Sequence, residues 1–168
     1  MITIVTGKIK EGKTTTIKRL FDENKKGDGF VLVKKMDGSN IHSFIATKLS
    51  TTNQKVLLLH ENYYSKRNMN SVKVGPYIFN MPTLSWIEKS IEKMIEERVE
   101  PIYLDEIGMF ELKGYGYDCI FRKLLKSNLD LIITIRLDFL EQVMEHYNLK
   151  DVKIVQVSTR VNNSNTIG

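Results

Sequence analysis

The strongest constraint in this chain lies in its first fifteen residues. Met1-Ile2-Thr3-Ile4-Val5-Thr6 is a short apolar, β-branched run, the composition of a buried strand. The run breaks at Gly7, and Gly7-Lys8-Ile9-Lys10-Glu11-Gly12-Lys13-Thr14 fits the pattern G-x-x-x-x-G-K-[ST]. Thr15 to Lys25 follows with Ile17, Leu20 and Phe21 at helical spacing, so the loop joins a strand to a helix. That context is what separates a phosphate-binding loop from a chance glycine turn.

The residue types follow from the chemistry of polyphosphate. A helix N-terminus offers unpaired N–H groups and the positive end of a dipole. Glycines at 7 and 12 let the backbone curl around an anion with no Cβ in the way. Lys13 is expected to reach the β- and γ-phosphates, and the Thr14 hydroxyl to ligate Mg²⁺. Gly7, Lys8, Ile9, Lys10, Glu11, Gly12, Lys13, Thr14 and Thr15 are therefore the candidate nucleotide contacts, with Lys8 and Lys10 equally readable as solvated loop residues.

Composition narrows the class. At 168 residues, 42% hydrophobic and 27% charged, the chain suits one globular domain spanning 1–168. No run approaches a membrane span, and Met1 leads straight into the first strand, so no signal peptide and a cytoplasmic location are expected. The single cysteine, Cys119, excludes an internal disulfide and any multi-cysteine metal site, and is expected to be a small core residue. The net charge of +5 permits nucleic acid as a partner without favouring it, because the lysines are scattered rather than striped.

Past the first helix, Gly27-Asp28-Gly29 reads as a turn. Phe30 to Met36, Ile41 to Leu49 and Lys55 to Leu59 then read as strands separated by short polar turns. They predict an antiparallel meander within a β-rich insert at about 29–80. Residues 60–71, with Tyr63, Tyr64, Lys66 and Arg67, read as a connection or a loop over a ligand. Val72 to Asn80 reads as one strand, bulged or at an edge because of Gly75-Pro76. Ser85-Trp86-Ile87-Glu88 reads as a capping box that starts a helix with Leu84, Ile87, Ile91, Met94 and Ile95 on its apolar face. Strands at Ile102–Leu104, Leu129–Ile135 and Val152–Val157 alternate with helices at Tyr115–Ser127 and around Phe139–Met144. The tail, 162–168, is polar and expected to fray. The order βα, meander, then αβαβαβ predicts an α/β three-layer fold.

A phosphate loop binds but does not activate a nucleophile. Leu104-Asp105-Glu106-Ile107-Gly108 supplies an apolar strand ending in two carboxylates. Asp105 fits the residue that holds the metal shell, beside Thr14, and Glu106 fits a base for attacking water, aimed to the opposite side of the strand end. Two more strand ends face the same sheet edge. From these, Thr134 is expected to sense the γ-phosphate, Arg136 to neutralise transition-state charge, and Arg160, after Ser158-Thr159, to lie near the base.

These segments together resemble the THEP-type nucleoside triphosphatases, relatives of the cancer-related nucleoside triphosphatase. The resemblance rests on Thr6-Gly7 through Lys13-Thr14-Thr15 and on Asp105-Glu106-Ile107-Gly108-Met109-Phe110-Glu111-Leu112, which is similar to the family's Asp-Glu-Ile-Gly-x-Met-Glu-Leu. Gly29-Phe30, Val74-Gly75-Pro76-Tyr77 and Asp151-Val152-Lys153-Ile154 add to it. It differs in the bulkier, charged loop interior Lys8-Ile9-Lys10-Glu11 and in Phe110, where the family has Met. The resemblance implies a RecA-like P-loop domain that hydrolyses nucleoside triphosphates such as ATP and GTP with Mg²⁺ and little base preference. It also brings Ile107 and Gly108 into the nucleotide site. Two other readings share the loop: a nucleotide or small-molecule kinase, and a nucleic-acid-coupled ATPase, against which the lack of aromatic–basic interleaving outside Tyr63 to Arg67 counts.

Overall fold

The computed structural model describes residues 1–65 and 70–158. Chain order runs β1 (Ile2–Gly7), α1 (Lys13–Asn24), β2 (Asp28–Asp37), β3 (Asn40–Lys48), β4 (Gln54–His60), β5 (Ser71–Val74), β6 (Tyr77–Asn80) and α2 (Met81–Glu96). It continues with β7 (Ile102–Ile107), α3 (Met109–Leu112), α4 (Asp118–Ser127), β8 (Leu131–Arg136), α5 (Leu140–His146) and β9 (Lys153–Gln156). The expectations for residues 66–69 and for Thr159, Arg160 and the 162–168 tail lie outside the described residues.

The nine strands among the described residues form one mixed sheet, ordered β5-β6-β4-β3-β2-β7-β8-β1-β9. Strands β2, β7, β8, β1 and β9 run parallel; β3, β4, β6 and β5 continue from β2 in antiparallel pairs. The inner parallel strands β7, β8 and β1 are buried along most of their length because helices cover both faces, while the edge strand β9 is largely exposed. Ile4, Val5, Ile102, Leu104, Ile133 and Ile135 are all fully buried. On one face α1 packs Ile17 over Val31 and Tyr103. On the other, α2, α4 and α5 seat Ile87, Ile91, Phe121, Leu124 and Val143 in the main core. Strand β2 lies so close to β7 that a Cβ on Gly29 would sit 2.0 Å from the Tyr103 carbonyl oxygen.

Several local expectations are corrected. Gly27-Asp28-Gly29 is not a free turn: Asp28 opens β2, buried, accepting from Ser50 N and Ser50 Oγ. Val72 to Asn80 is not one strand but the β5–β6 hairpin, turning at Gly75, which takes φ 58°, and at Pro76, which has no N–H to give a ladder. The helix that seemed to start at Ser85 starts at Met81, where Asn80 Oδ1 caps Thr83 N and Pro82 fits the first turn. Ser85-x-x-Glu88 falls in the helix interior. The helix anticipated from Tyr115 begins at Asp118, after left-handed Gly114 and Gly116. Cys119 is exposed, because α4 turns Ile120, Phe121 and Leu124 inward and leaves position 119 outside.

Candidate active site

The parallel register brings separate sequence segments to one edge. Strand β1 pairs Gly7 with Arg136 and Val5 with Thr134 of β8, and β7 lies on the far side of β8. The carboxyl ends of β1, β8 and β7 therefore stand side by side, where ligands sit in open parallel sheets.

At the end of β1 the loop closes on itself. Gly12 takes φ 82°, a left-handed conformation that favours glycine, and α1 starts at once with Lys13. The first turn of α1 carries no acidic residue of its own; the Asp105 carboxylate reaches it through Thr14. Lys13 is only 6% exposed and its Nζ donates to the Lys8 carbonyl at 2.9 Å, folding the ammonium across the loop. Glu11 accepts from Lys8 N and braces the loop from within.

The acidic pair sits in a bulge. Leu104 pairs with Ile133 and Ile107 with Ile135, so Asp105 and Glu106 together oppose Thr134 alone. The extra residue is absorbed at Glu106, whose φ is 67°. That left-handed backbone costs of order 1–3 kcal/mol in a residue with a side chain. It also breaks the simple alternation that would send the two carboxylates to opposite sides. Asp105, fully buried, accepts from Thr14 Oγ1 at 2.7 Å, Thr134 Oγ1 at 2.5 Å and Leu32 N at 3.1 Å. Glu106 N donates to Thr134 Oγ1 at 2.8 Å. Thr134 is thus fully buried, its hydroxyl engaged with the acidic pair, and it does not line the cleft.

Burial pushes the Asp105 carboxyl up, against the pull of Thr134, Thr14, Leu32 N and Lys13. Glu106 is also raised, first by burial and then by the charge of Asp105, while Lys13, Lys34 and Arg136 draw it back. The two carboxylates and the three cations are therefore electrically in one site.

A cleft of about 740 Å³ opens above the loop, within the size range of ligand sites. Of the anticipated contacts, Ile9, Lys10, Gly12, Lys13, Thr14, Thr15, Glu106 and Arg136 line it. Gly7, Lys8, Glu11 and Asp105 do not: Gly7 and Asp105 are buried beneath, and Lys8 and Glu11 bond each other. Ile107 and Gly108 line a separate cavity behind Glu106. Arg136 stands between the two spaces, its guanidinium 4.4 Å from the Phe139 ring centre. Its Nε is 3.1 Å from Asp138 Oδ2, an ion-pair contact without hydrogen-bond alignment.

Other residues of the site were not anticipated. Lys18 and Lys34 line the cleft; Lys18 follows Thr14 by one helical turn, and Lys34 lies toward the carboxyl end of β2, so spacing carried both signals. Glu111 is buried and accepts from Gly108 N at 2.8 Å and Tyr117 N at 3.0 Å, tying the start of the 108–117 loop to its end. Burial pushes its carboxyl up to about 7. Tyr117 is 2% exposed, and its hydroxyl has no hydrogen-bond partner among the described residues. Burial, then Glu111, Asp105 and Glu106, raise that hydroxyl's pKa well above the usual tyrosine range.

The geometry can be set beside known proteins. Nucleoside-triphosphatase THEP1 of Thermotoga maritima is 28% identical over 165 residues, covering 96% of this chain and 88% of that protein. Its namesake from Thermotoga sp. strain RQ2 is 29% identical over 164 residues, with the same coverage. The crystal structure of THEP1 from Aquifex aeolicus superposes with a TM-score of 0.63 at 20% identity, covering 98% of this chain and 94% of that one. The solution structure of a human cancer-related nucleoside triphosphatase gives 0.63 at 19%, covering 94% and 89%. These two establish a shared fold. The model of the family described as NTPase matches residues 2–167, nearly the whole sequence, and so this chain belongs to the NTPase family.

Proposed function

We propose that this protein is a Mg²⁺-dependent hydrolase of nucleoside triphosphates, acting on ATP, GTP, CTP and UTP with little base selectivity. The observation that carries the reading is the 2.7 Å bond from Thr14 Oγ1 to Asp105 Oδ2, buried beneath the cleft that Thr14 and Glu106 both line. It joins the phosphate loop to the acidic strand end, the pairing phosphoryl transfer requires.

No cluster of three or more His, Cys, Asp or Glu side chains able to hold a metal occurs among the described residues. A magnesium site of the nucleotide kind needs none, because Mg²⁺ takes one or two protein oxygens and completes its shell with phosphates and water. The hard oxygens of Thr14 and Asp105 fit that role. Bound there with the triphosphate, the cation would offset charge on the β- and γ-oxygens.

In this reading the α1 N-terminus and the loop amides hold the β-phosphate. Lys13 leaves the Lys8 carbonyl for the β/γ oxygens, and Lys10, Lys18 and Lys34 add positive charge along the cleft. Glu106 takes a proton from the attacking water, its carboxyl raised from the ordinary value by burial and by Asp105. Arg136 faces charge that develops on the γ-phosphoryl. No helix among the described residues is long and apolar enough to cross a membrane, and a cytoplasmic enzyme acting as one domain over 1–168 fits the reading. Among the described residues no Asp, Asn or Gln lines the cleft to pair with one base edge. A missing hydrogen bond that water replaces costs only ~1 kcal/mol, so specificity constants for the four triphosphates are expected within about two decades.

Phosphate release from each triphosphate, with and without Mg²⁺, tests the reading, with Lys13→Ala as the control that loses productive binding. Full turnover by Lys13→Ala would remove the loop from the mechanism, and a thousandfold preference for one base would contradict the unselective cleft.

A further inference from the structure

Behind Glu106 lies a second cavity of about 160 Å³. Leu57, Leu58, Phe79, Phe110 and Phe139 line it, and it shares Leu32, Phe44, Glu106 and Arg136 with the nucleotide cleft. Its aromatic wall is ordered: Phe79 and Phe110 meet edge to face with centroids 5.0 Å apart. Hydrolysis needs only one water at Glu106, and a water occupies about 30 Å³. Protein interiors hold few voids larger than that. An apolar cavity near 150 Å³ stays dry and accepts a benzene-sized molecule. This one carries polar groups at one side, and its size and the apolar part of its lining suit a six-membered ring.

Polar groups gather at one side of this space. Glu106 lines it next to the cleft, and Tyr117 lines it with a buried hydroxyl that has no partner among the described residues. Glu111 lines it too, but both its carboxylate oxygens are engaged by Gly108 N and Tyr117 N. An apolar pocket with a few convergent polar groups is the pattern of a small-molecule site. A nucleoside monophosphate does not suit it: ligand sites of that class run to several hundred Å³, and Arg136 is the one cation among the described residues of the lining.

We infer that this cavity is an acceptor site for a compact, uncharged, ring-bearing alcohol, to which the enzyme passes the γ-phosphoryl group in competition with water. The inference rests on the nucleotide site proposed above. The alcohol oxygen forms a bond to the γ-phosphorus as the bridging bond between the β- and γ-phosphates breaks. The hydroxyl proton goes to Glu106 and then to solvent, and the products are a phosphate monoester and a nucleoside diphosphate. The charged monoester is poorly matched to apolar walls and leaves through the cleft.

Benzyl alcohol is the probe. The wild-type chain is given MgATP with excess benzyl alcohol, and benzyl phosphate is followed by ³¹P NMR beside inorganic phosphate. Leu58→Phe fills the cavity without touching the nucleotide machinery, and benzene added to the wild type occupies the ring site while offering no hydroxyl. Benzyl phosphate is expected with the wild type. It should fall about tenfold in Leu58→Phe and on adding benzene, with phosphate release retained in both. Phosphate release with no benzyl phosphate would overturn the inference and leave the hydrolase reading standing. Ester formation unaffected by both Leu58→Phe and benzene would overturn the assignment to this cavity. If neither phosphate nor ester forms, the nucleotide reading fails and takes the inference with it.

Discussion

Replacing Thr134 by valine removes one hydroxyl and keeps the shape, and the structure sets the cost. That hydroxyl donates to the fully buried Asp105 carboxylate and accepts from Glu106 N. A hydrogen bond to a charged group contributes ~1.5–3 kcal/mol, and a buried N–H left without a partner costs a further ~1–3 kcal/mol. Thr134→Val should therefore lose about 3 kcal/mol or more without nucleotide. For a chain of this length each kcal/mol moves Tm by roughly 2–4 °C, so the melt should fall by on the order of 10 °C. Thr134→Ser keeps the hydroxyl and should retain most of this stability. Turnover should fall in the valine variant with little change in KM, because Asp105 and Glu106 lose their shared support while the loop is untouched. Thermal and urea unfolding at neutral pH, with steady-state kinetics, would decide it. A valine variant within about 0.5 kcal/mol of wild type, the ordinary scatter of harmless substitutions, would refute Thr134 as the clamp on the acidic pair.

Two further outcomes follow from buried carboxylates. Glu111 is raised from the usual 4.5 to about 7, so the folded state favours its protonated form; the stability it contributes is full below pH 4.5 and is lost as pH rises to 7, by roughly 3 kcal/mol. Glu111→Gln should flatten that stretch of the urea-midpoint profile while lowering stability overall, since an amide cannot accept from both Gly108 N and Tyr117 N; parallel profiles would contradict the assignment. Glu106→Gly should relieve the φ 67° backbone and the repulsion from Asp105, raising stability by about 1 kcal/mol while abolishing turnover. A destabilised glycine variant would show that the strain at Glu106 is not real.

Chemistry that is local in the chain could be read from it. The phosphate loop, the strand before it, the helix behind it and the Asp105-Glu106 pair are each encoded by neighbours in sequence, and their elements were found within a few residues. What depended on distant partners was not legible. The aim of Glu106 comes from a bulge defined by how β7 registers against Ile133 and Ile135 of β8, and no feature of the β7 sequence announces it. Thr134 looked like a ligand contact because strand ends usually are; only the parallel register shows that its hydroxyl is taken. Ser85 matched a capping pattern, but Asn80 and Pro82 supplied a better start one turn earlier. The cavity behind Glu106 draws Leu32, Leu57, Phe79, Phe110 and Phe139 from five parts of the chain, so it exists only once the sheet order is known.

In the proposed mechanism Glu106 takes the proton from attacking water while Lys13, Thr14 and Asp105 hold the triphosphate. Glu106→Gln tests it most directly, because the amide is nearly isosteric and removes only the capacity to accept that proton. MgATP affinity is measured by equilibrium titration and the chemical step by single-turnover hydrolysis, on wild type and variant alike. An affinity within a few-fold of wild type is expected, with a hydrolysis rate lower by ~10²–10⁴. A variant that hydrolyses ATP within a few-fold of the wild-type rate would contradict it.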